Sequence, residues 1–198
     1  MSNFAKVAVL ISGGGTNLQA IIDRSAAGEL PHVELALVVS SRKNAGGLDR
    51  AERAGIKHAY IGKENFEQEL MALLEEHEID IIVLAGFLKI LSSDFVSRYP
   101  DRIINVHPSL IPSFCGDGFY GLRVHEAALS YGVKVTGATV HFVNEVTDGG
   151  KIIAQRAVDV KDGDTPEILQ RRVMEEAEWK LLPAAVEKVA ADIVARRR

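Results

Sequence analysis

Cysteine is nearly absent from this chain, with Cys115 as the single example among 198 residues. One cysteine excludes an internal disulfide and a cysteine-rich zinc site, and it fits a reducing compartment. Apolar runs of the ~20 residues needed to cross a bilayer are also missing, and the first residues lack the charged and apolar regions of a signal peptide. We therefore expect a cytoplasmic protein with no membrane partner.

A large excess of one charge is missing as well. The formal net charge is −4, whereas a surface that binds nucleic acid is expected to be basic, so we expect no nucleic-acid partner. Internal repeats, low-complexity segments and linkers are absent too. The hydrophobic fraction of 47% and the charged fraction of 25% are those of an ordinary globular protein. We interpret residues 1–198 as one domain with a substantial core.

Strand-like and helix-like segments alternate through the first two thirds of the chain. Short apolar runs predict strands over residues 6–12, 33–40, 59–61, 80–87 and 102–107. Helical spacing of apolar residues predicts helices over residues 16–27, 45–54, 65–78 and 92–99. This alternation is typical of an α/β fold with a mostly parallel, doubly wound sheet and helices on both faces.

The last third of the chain has a different pattern. A helix is predicted over residues 122–130, followed by two strands, 133–143 and 151–160, that form an antiparallel hairpin. Asp164 or Thr165 can cap a long C-terminal helix whose first turn contains Pro166. We expect Pro183 to kink or break that helix.

The segment Asn105-Val106-His107-Pro108 is the most informative in the chain. Asn105 and His107 face the same side of a strand, about 7 Å apart, where Pro108 ends it. Ligands of open α/β sheets bind beyond the carboxyl ends of the strands, and an amide beside an imidazole can stabilise an oxyanion and move a proton. A histidine at a strand end is also commonly a hydrogen-bonded side chain without a chemical role, and these residues alone leave both interpretations open.

A glycine loop, Gly13-Gly14-Gly15-Thr16-Asn17, lies between the first strand and the first helix. Its backbone N–H groups and the helix dipole suit a phosphate. The loop is not a Walker A motif, and it lacks the third glycine of a dinucleotide-binding loop because that position is Leu18. It therefore favours a monophosphate, although a tight turn that needs glycine only for its backbone angles is an equal alternative.

Four segments together resemble the glycinamide ribonucleotide formyltransferases of the folate-dependent formyltransferase superfamily. They are residues 13–21, 84–91, 105–112 and 140–150, and they spread over nearly the whole chain. The pattern Asn-x-His-Pro-Ser-Leu-x-Pro at residues 105–112 is shared by the superfamily. The glycine-rich Thr-Asn loop and the compact length favour the glycinamide ribonucleotide branch.

The resemblance implies specific roles for residues of this chain. Its catalytic residues fall on Asn105, His107 and Asp148, and its ribonucleotide-binding residues fall on Gly15, Thr16, Asn17 and Glu178. Its folate-binding residues fall on Lys63, Leu88, Lys89, Ile90, Leu91, Asn105, Asn144, Glu145, Val146, Thr147 and Asp148. The family has arginine at the position of Lys63, so the charge is kept here but the planar two-pronged donor is lost.

The implied reaction transfers a formyl group from 10-formyltetrahydrofolate, as the folate cosubstrate, to the amine of glycinamide ribonucleotide. Asn105 and a protonated His107 would stabilise the oxyanion, and Asp148 would keep His107 charged and relay a proton. No metal is required, and the sequence has no cluster with the spacing of a metal site. The expected partners are these two small molecules, bound by a monomer or a weak homodimer.

Three other functions are alternatives. A folate deformylase would pass the formyl group to water, but those relatives have an N-terminal regulatory domain for which a first strand at Lys6 leaves no room. Formyltransferases acting on methionyl-tRNA or a nucleotide sugar need a further C-terminal domain. A non-catalytic nucleotide-binding module would have no use for Asn105, His107 and Asp148 together.

The remaining polar residues near these motifs are interpreted as structural. We place His125 on a helix and His141 inside an apolar strand, and we expect no nucleophilic role for Cys115, which has no base beside it. The loop 113–121 is long and aromatic, and its relation to the site is left open.

Overall fold

Seven strands form a single sheet in the computed structural model, which describes residues 2–197. The strands are β1 (Ala5–Ile11), β2 (Val33–Ser40), β3 (His58–Tyr60), β4 (Ile81–Leu84), β5 (Ile103–His107), β6 (Val135–Phe142) and β7 (Ile152–Asp159). Their order across the sheet is β3-β2-β1-β4-β5-β6-β7. The first five are parallel, whereas β6 and β7 form the predicted antiparallel hairpin beside β5.

Seven α-helices accompany this sheet in the described residues. They are α1 (Thr16–Ala26), α2 (Gly46–Arg53), α3 (Phe66–Glu76), α4 (Ser93–Ser97), α5 (Leu122–Tyr131), α6 (Pro166–Val173) and α7 (Trp179–Arg196). Helices α1, α2 and α7 contribute to one apolar core, α3 and α4 to a second, and α6 to a smaller third core against the β6–β7 hairpin. The predicted fold class, a doubly wound α/β sheet with a C-terminal hairpin and a long C-terminal helix, is confirmed.

The alternation of side chains along β1 explains why both faces are covered. Val7, Val9 and Ile11 are fully buried in the core with α1 and α7. Ala8 and Leu10, between them, are fully buried in the core with α3 and α4. Burying a large apolar side chain stabilises the fold by about 1.5–3 kcal/mol. A central strand that is covered on both faces therefore has the near-continuous apolar sequence seen in β1.

The strand order places a ligand-binding crevice at a defined edge of the sheet. The chain builds β2 and β3 on one side of β1 and then returns to build β4 and β5 on the other side. At this switch point the connections that follow β1 and β4 turn to opposite faces of the sheet. This opens a crevice outside the carboxyl ends of the two strands. The glycine loop follows β1, and Asn105 and His107 lie at the end of β5.

Two predicted elements differ from the structure. The strand predicted over residues 80–87 ends at Leu84, because Gly86 takes a left-handed backbone with φ 70° that cannot continue a strand. Of the kink or break predicted at Pro183, the break is wrong, because α7 runs through Pro183 without interruption. An irregular turn lies earlier, as a π-helical segment over Met174–Glu178. The backbone is right-handed helical at both ends of that segment, so Pro183 lies inside one continuous helix that begins with α6.

Candidate active site

A cleft of about 800 Å³ opens at the carboxyl edge of the sheet. This volume is within the range of small-molecule sites. All predicted site residues except one line this cleft: Gly15, Thr16, Asn17, Leu88, Lys89, Ile90, Leu91, Asn105, His107, Asn144, Glu145, Val146, Thr147, Asp148 and Glu178. The exception is Lys63, which lines a neighbouring hollow that shares Lys89 and Ile90 with the cleft.

The three predicted catalytic residues lie together. The Nδ1 atom of His107 is 3.5 Å from Oδ2 of Asp148, and their side chains are only 5% and 8% exposed. The amide nitrogen of Asn105 is 3.5 Å from the other carboxylate oxygen, Oδ1. A separation of 3.5 Å makes a weak hydrogen bond, so this amide can turn a hydrogen toward a bound group at little cost.

A second imidazole, that of His141, also contacts the Asp148 carboxylate. His141 is the direct cross-strand partner of Asn105 in the β5–β6 pair. Its Nδ1 lies 2.8 Å from the Phe142 carbonyl oxygen, which can only accept, so Nδ1 is the protonated atom. The other ring nitrogen, Nε2, is 3.2 Å from the Asn105 amide nitrogen and 3.6 Å from Oδ1 of Asp148. His141 therefore holds one side of the Asn105 amide.

The surroundings of Asp148 keep it ionised. Burial acts to raise the pKa of this carboxyl, but its contact with the His141 ring and the hydrogen bond from the Gly116 N–H lower it, with a further contribution from the nearby His107 imidazole. The net result is a pKa below the usual value for aspartate. Asp148 is therefore a carboxylate throughout the neutral range and can pair with a positively charged imidazole.

The loop between β5 and α5 contacts both His107 and Asp148. The Phe114 carbonyl oxygen is 2.9 Å from Nε2 of His107, and the Gly116 N–H donates to Oδ2 of Asp148 over 2.9 Å. Further along, Thr147 donates its hydroxyl to Asp117 over 3.1 Å. This loop, whose relation to the site the sequence left open, therefore forms part of the cleft wall.

His125 presents a buried and unpartnered imidazole to the same cleft. It lies on α5 with no exposed surface, and neither ring nitrogen has a hydrogen-bond partner. Burial, with a smaller contribution from His107, lowers the pKa of His125 to about 4. This ring is therefore neutral at physiological pH and adds no charge beside His107.

The glycine loop is held against α2 by a close backbone contact. Gly15 has a left-handed backbone with φ 72°, and a Cβ atom there would lie 2.6 Å from the Cα of Gly47. The N–H of Gly47 donates to the Gly13 carbonyl, and Arg50 donates to the Gly14 carbonyl over 2.7 Å. With these carbonyls engaged, the backbone N–H groups at the start of α1 remain to face an anion.

Replacing Gly15 with alanine is expected to lower the melting temperature clearly. The new methyl group meets backbone rather than a mobile side chain, and the left-handed conformation adds strain of roughly 1–3 kcal/mol. Gly13→Ala is the matched control, because a Cβ there has no heavy atom within 4 Å. Calorimetry of both variants tests this, and equal melting temperatures would contradict the proposed packing of the loop.

Asn17 and Glu178 come together from opposite ends of the chain. The amide nitrogen of Asn17 donates to Oε2 of Glu178 over 2.6 Å, and both residues are buried. Burial raises the pKa of Glu178, partly offset by this hydrogen bond. The Asn17 side-chain oxygen has no partner. The pair therefore presents hydrogen-bond acceptors to the cleft, which is what hydroxyl donors on a ligand require.

An apolar rim borders the opposite end of the cleft. Leu88 and Ile90 are 53% and 84% exposed, whereas Leu91 is buried beneath them. The Lys89 ammonium lies 3.9 Å from the centre of the Phe66 ring, which fixes this cation beside the rim. Exposed apolar side chains next to a cation suit a ligand with a flat apolar body and an anionic end.

Within residues 2–197, no group of three or more His, Cys, Asp or Glu side chains is arranged to hold a metal ion. None of the helices described there has the length and apolar character to cross a membrane.

Comparison with known proteins identifies the family. A family model described as formyl transferase matches residues 5–186. A curated phosphoribosylglycinamide formyltransferase from Haemophilus influenzae is 40% identical over 187 residues, covering 91% of this chain and 85% of the relative. The crystal structure of glycinamide ribonucleotide transformylase 1 from Symbiobacterium toebii has a TM-score of 0.88 at 39% identity, covering 96% and 89% of the two chains. The chain belongs to the phosphoribosylglycinamide formyltransferase family.

Longer proteins also match this formyltransferase. The trifunctional purine biosynthetic protein adenosine-3 of Homo sapiens is 47% identical over 196 residues, or 96% of this chain, which spans 19% of that relative's length. A formyltetrahydrofolate deformylase from Pseudomonas syringae has a TM-score of 0.86 at 28% identity, covering 96% of this chain and 63% of that one. The resemblance drawn from four sequence segments is confirmed, and the same fold occurs in proteins with both names.

Two histidines of this formyltransferase were interpreted from sequence as structural, and the structure places both at the cleft. His141 needed the β5–β6 register to be found, since only that pairing sets it opposite Asn105. His125 needed the orientation of α5, whose buried face is Val124, His125 and Ala128. The sequence did show a histidine on the apolar side of a helix and another within an apolar strand. A histidine in such a position is more often a hydrogen-bonded core residue than part of a site.

Proposed function

We propose that the chain transfers a formyl group from 10-formyltetrahydrofolate to the primary amine of glycinamide ribonucleotide, a step of de novo purine synthesis. The products are formylglycinamide ribonucleotide and tetrahydrofolate. The observation that carries this proposal is that the Asn105 amide and the His107 imidazole each lie 3.5 Å from an oxygen of the Asp148 carboxylate. Family membership favours the same reaction.

The proposed reaction begins when the neutral amine attacks the formyl carbon. The carbonyl electron pair moves to oxygen, which becomes an anion in the tetrahedral intermediate. The Asn105 amide and a protonated His107 stabilise that anion, because hydrogen-bond donors held in place act on charge as it develops. The Nε2–H of His107 is directed at the Phe114 carbonyl, so Nδ1 is the atom that faces Asp148 and the cleft.

A proton must then move from the attacking nitrogen to the leaving nitrogen. The Asp148 carboxylate accepts the proton of the attacking amine, directly or through a water molecule, and returns it to N10 of the folate. The bond between the formyl carbon and N10 breaks as the oxyanion re-forms the carbonyl. Asp148 is also the counter-charge that faces His107, since the two side chains are nearly enclosed and lie 3.5 Å apart.

The ribonucleotide occupies the part of the cleft beside α1 in this proposal. The backbone at Gly15 and Thr16 binds its phosphate at the helix N-terminus. Asn17 adds its backbone to that site, while its side chain joins Glu178 to form acceptors for the ribose hydroxyls. The amine of the ribonucleotide then extends toward Asn105.

The folate lies along the apolar rim. Leu88, Ile90 and Leu91 contact its ring system, and the segment 144–148 covers it from the side of Asp148. Lys89 lies where the cleft meets the neighbouring hollow, and Lys63 lines that hollow. We place the anionic end of the folate there, with Lys63 as a single-point cation in place of a planar guanidinium.

Glu178→Gln is expected to weaken ribonucleotide binding and to stabilise the fold. The amide keeps one acceptor but loses the negative charge, so KM for the ribonucleotide rises about tenfold, the cost of one charged hydrogen bond. Because burial raises the pKa of Glu178 in the folded chain, the wild type loses stability as the pH rises through that pKa.

Thermal unfolding between pH 4 and pH 8 tests the second part of this prediction. The stability of Glu178→Gln relative to the wild type should increase toward the alkaline end of that range. A variant that becomes relatively less stable as the pH rises would contradict a raised pKa.

A spectrophotometric assay with 10-formyltetrahydrofolate, run with and without glycinamide ribonucleotide, tests the reaction. We expect tetrahydrofolate to appear only when the amine is present, and Asp148→Asn to lose nearly all of that turnover. Folate conversion at the same rate without the amine would make the protein a deformylase. Ribonucleotide binding without any folate conversion would make it a binding module.

The remaining features of the proposal concern the protein as a whole. We propose that residues 1–198 act as one formyltransferase domain, with an N-terminal ribonucleotide-binding part and a C-terminal folate-binding part. The domain acts as a monomer or a weak homodimer in the cytoplasm, where Cys115 stays reduced. Sedimentation at several protein concentrations tests the oligomeric state.

A further inference from the structure

Two aromatic residues of the loop between β5 and α5 form a cluster of three rings with a tyrosine of α5, outside the catalytic residues. The Phe114 ring lies 6.4 Å from that of Phe119 and 6.0 Å from that of Tyr131, the second pair meeting edge to face. Tyr131 is the last residue of α5 and is 82% exposed. The cluster therefore joins the loop to the end of a helix, and Phe119 is its member that also lines the cleft.

The backbone at Phe114 has a conformation that a side chain rarely adopts. Its φ is 49°, in the left-handed region, where a bulky residue is strained unless other contacts hold it. The same residue directs its carbonyl at Nε2 of His107 over 2.9 Å. Two residues later, the Gly116 N–H donates to Asp148 over 2.9 Å. One strained turn thus contacts both the imidazole and the carboxylate.

A carbonyl oxygen can only accept a hydrogen bond, so its contact with His107 fixes the proton on Nε2. In the neutral ring the nitrogen without a proton is then Nδ1, which is 3.5 Å from Asp148. The proton that makes the ring an imidazolium is therefore added at Nδ1, on the side where the oxyanion forms. A loop that moved would let the neutral ring carry its proton on Nδ1 instead, and the ring would no longer be held with that side toward the oxyanion.

We propose that Phe114 and Tyr131 are positioning residues, whose ring contact holds the strained turn that fixes the His107 proton on Nε2. The inference rests on the proposed formyl transfer for its kinetic consequence, but the protonation of His107 is a property of the protein alone. Phe114 acts through its backbone carbonyl and Tyr131 acts through Phe114. Neither ring is assigned a contact with substrate.

Tyr131→Ala is the decisive variant, because a side chain so exposed can be removed with little effect on the fold. We expect kcat to fall about 2–10-fold, the range that corresponds to the loss of one aromatic pair. KM for both substrates should stay within about twofold of the wild type, since neither binding region changes. Tyr131→Phe keeps the ring and should restore the wild-type kcat.

Nitrogen-15 NMR of the histidine rings reports which ring nitrogen carries the proton, and a general loss of stability would not change those signals. In the wild type, Nε2 of His107 should be fully protonated in the neutral ring, and His107→Asn identifies its signals by their disappearance. Tyr131→Ala and Phe114→Ala should shift both ring nitrogens toward a mixture of the two neutral forms, with the larger change in Phe114→Ala. If Phe114→Ala does not fold, Tyr131→Ala alone decides.

Wild-type kcat and unchanged His107 signals in Tyr131→Ala would overturn the inference. The same loss in Tyr131→Phe would also overturn it, because the ring would then not be the cause. A wild type that transfers no formyl group would reject the proposed function instead, whatever the NMR spectra show. The two failures are therefore distinguishable.

Discussion

Asp148→Asn is expected to lower kcat by about 10²–10⁴-fold, the usual contribution of a general acid–base group. The amide fits the same space and can still accept from the Gly116 N–H, so the loop stays in place. With its oxygen in the place of Oδ2, its NH₂ group takes the place of Oδ1, beside the Asn105 amide and Nε2 of His141, and only a neutral oxygen faces Nδ1 of His107. The variant therefore removes both the proton carrier and the negative charge that favours the imidazolium.

Asp101→Asn is the matched control for Asp148→Asn. Both aspartates have φ 54°, a left-handed conformation that asparagine tolerates equally well. Asp101 is exposed and does not line the cleft. Steady-state rates should be those of the wild type for Asp101→Asn. A loss below tenfold in Asp148→Asn, in a folded protein, would remove Asp148 from the proposed proton path.

Asn105→Ala is expected to lower kcat by about 10²–10³-fold, as when one donor to an oxyanion is removed. The Asn105 amide is shared between His141, at 3.2 Å, and Asp148, at 3.5 Å. Its contribution is made when the oxyanion forms, so KM for both substrates should change much less than kcat.

Asn105→Asp distinguishes the loss of the hydrogen-bond donor from the loss of side-chain volume. It has nearly the same shape but no NH₂ group, and it sets a second carboxylate beside Asp148. We expect a loss of kcat at least as large as in Asn105→Ala, with melting temperatures measured for both variants to exclude unfolding. Near-wild-type kcat in either variant would show that this amide does not stabilise the transition state.

The three residues of the proposed catalytic group could be located from sequence because two of them are neighbours on one strand. Asn105 and His107 are two positions apart on one strand, so the period of a strand sets them on one side. Pro108 marks the end of that strand, and the α/β pattern marks that end as the site of ligand binding. Asp148 lies far along the chain from these two residues, and only the resemblance to a family assigned it to the same site.

The parts that sequence reasoning missed depend on distances between separate elements. The pairing of Asn105 with His141 follows from the register of an antiparallel pair, which apolar patterning does not specify to the residue. The contact of the Phe114 carbonyl with His107 depends on a backbone angle inside a loop. Neither contact can be recognised from residue types at a fixed spacing in the sequence.

The C-terminal helices show the same limit. Thr165 caps α6 through the N–H of Ile168 and Pro166 opens that helix, as local capping chemistry predicts. The π-helical segment over Met174–Glu178 has no comparable signal, yet it ends on the buried Glu178 that contacts Asn17. Helix ends follow from nearby residues, whereas an irregular turn inside a helix follows from its tertiary contacts.

The most direct test of the account is to follow the formyl carbon itself. The wild-type protein would be given 10-formyltetrahydrofolate labelled with carbon-13 in the formyl group and glycinamide ribonucleotide labelled with nitrogen-15 at the amine. The account predicts a product whose carbon-13 signal is split by a directly bonded nitrogen-15. Labelled formate as the product, with no such splitting, would contradict it.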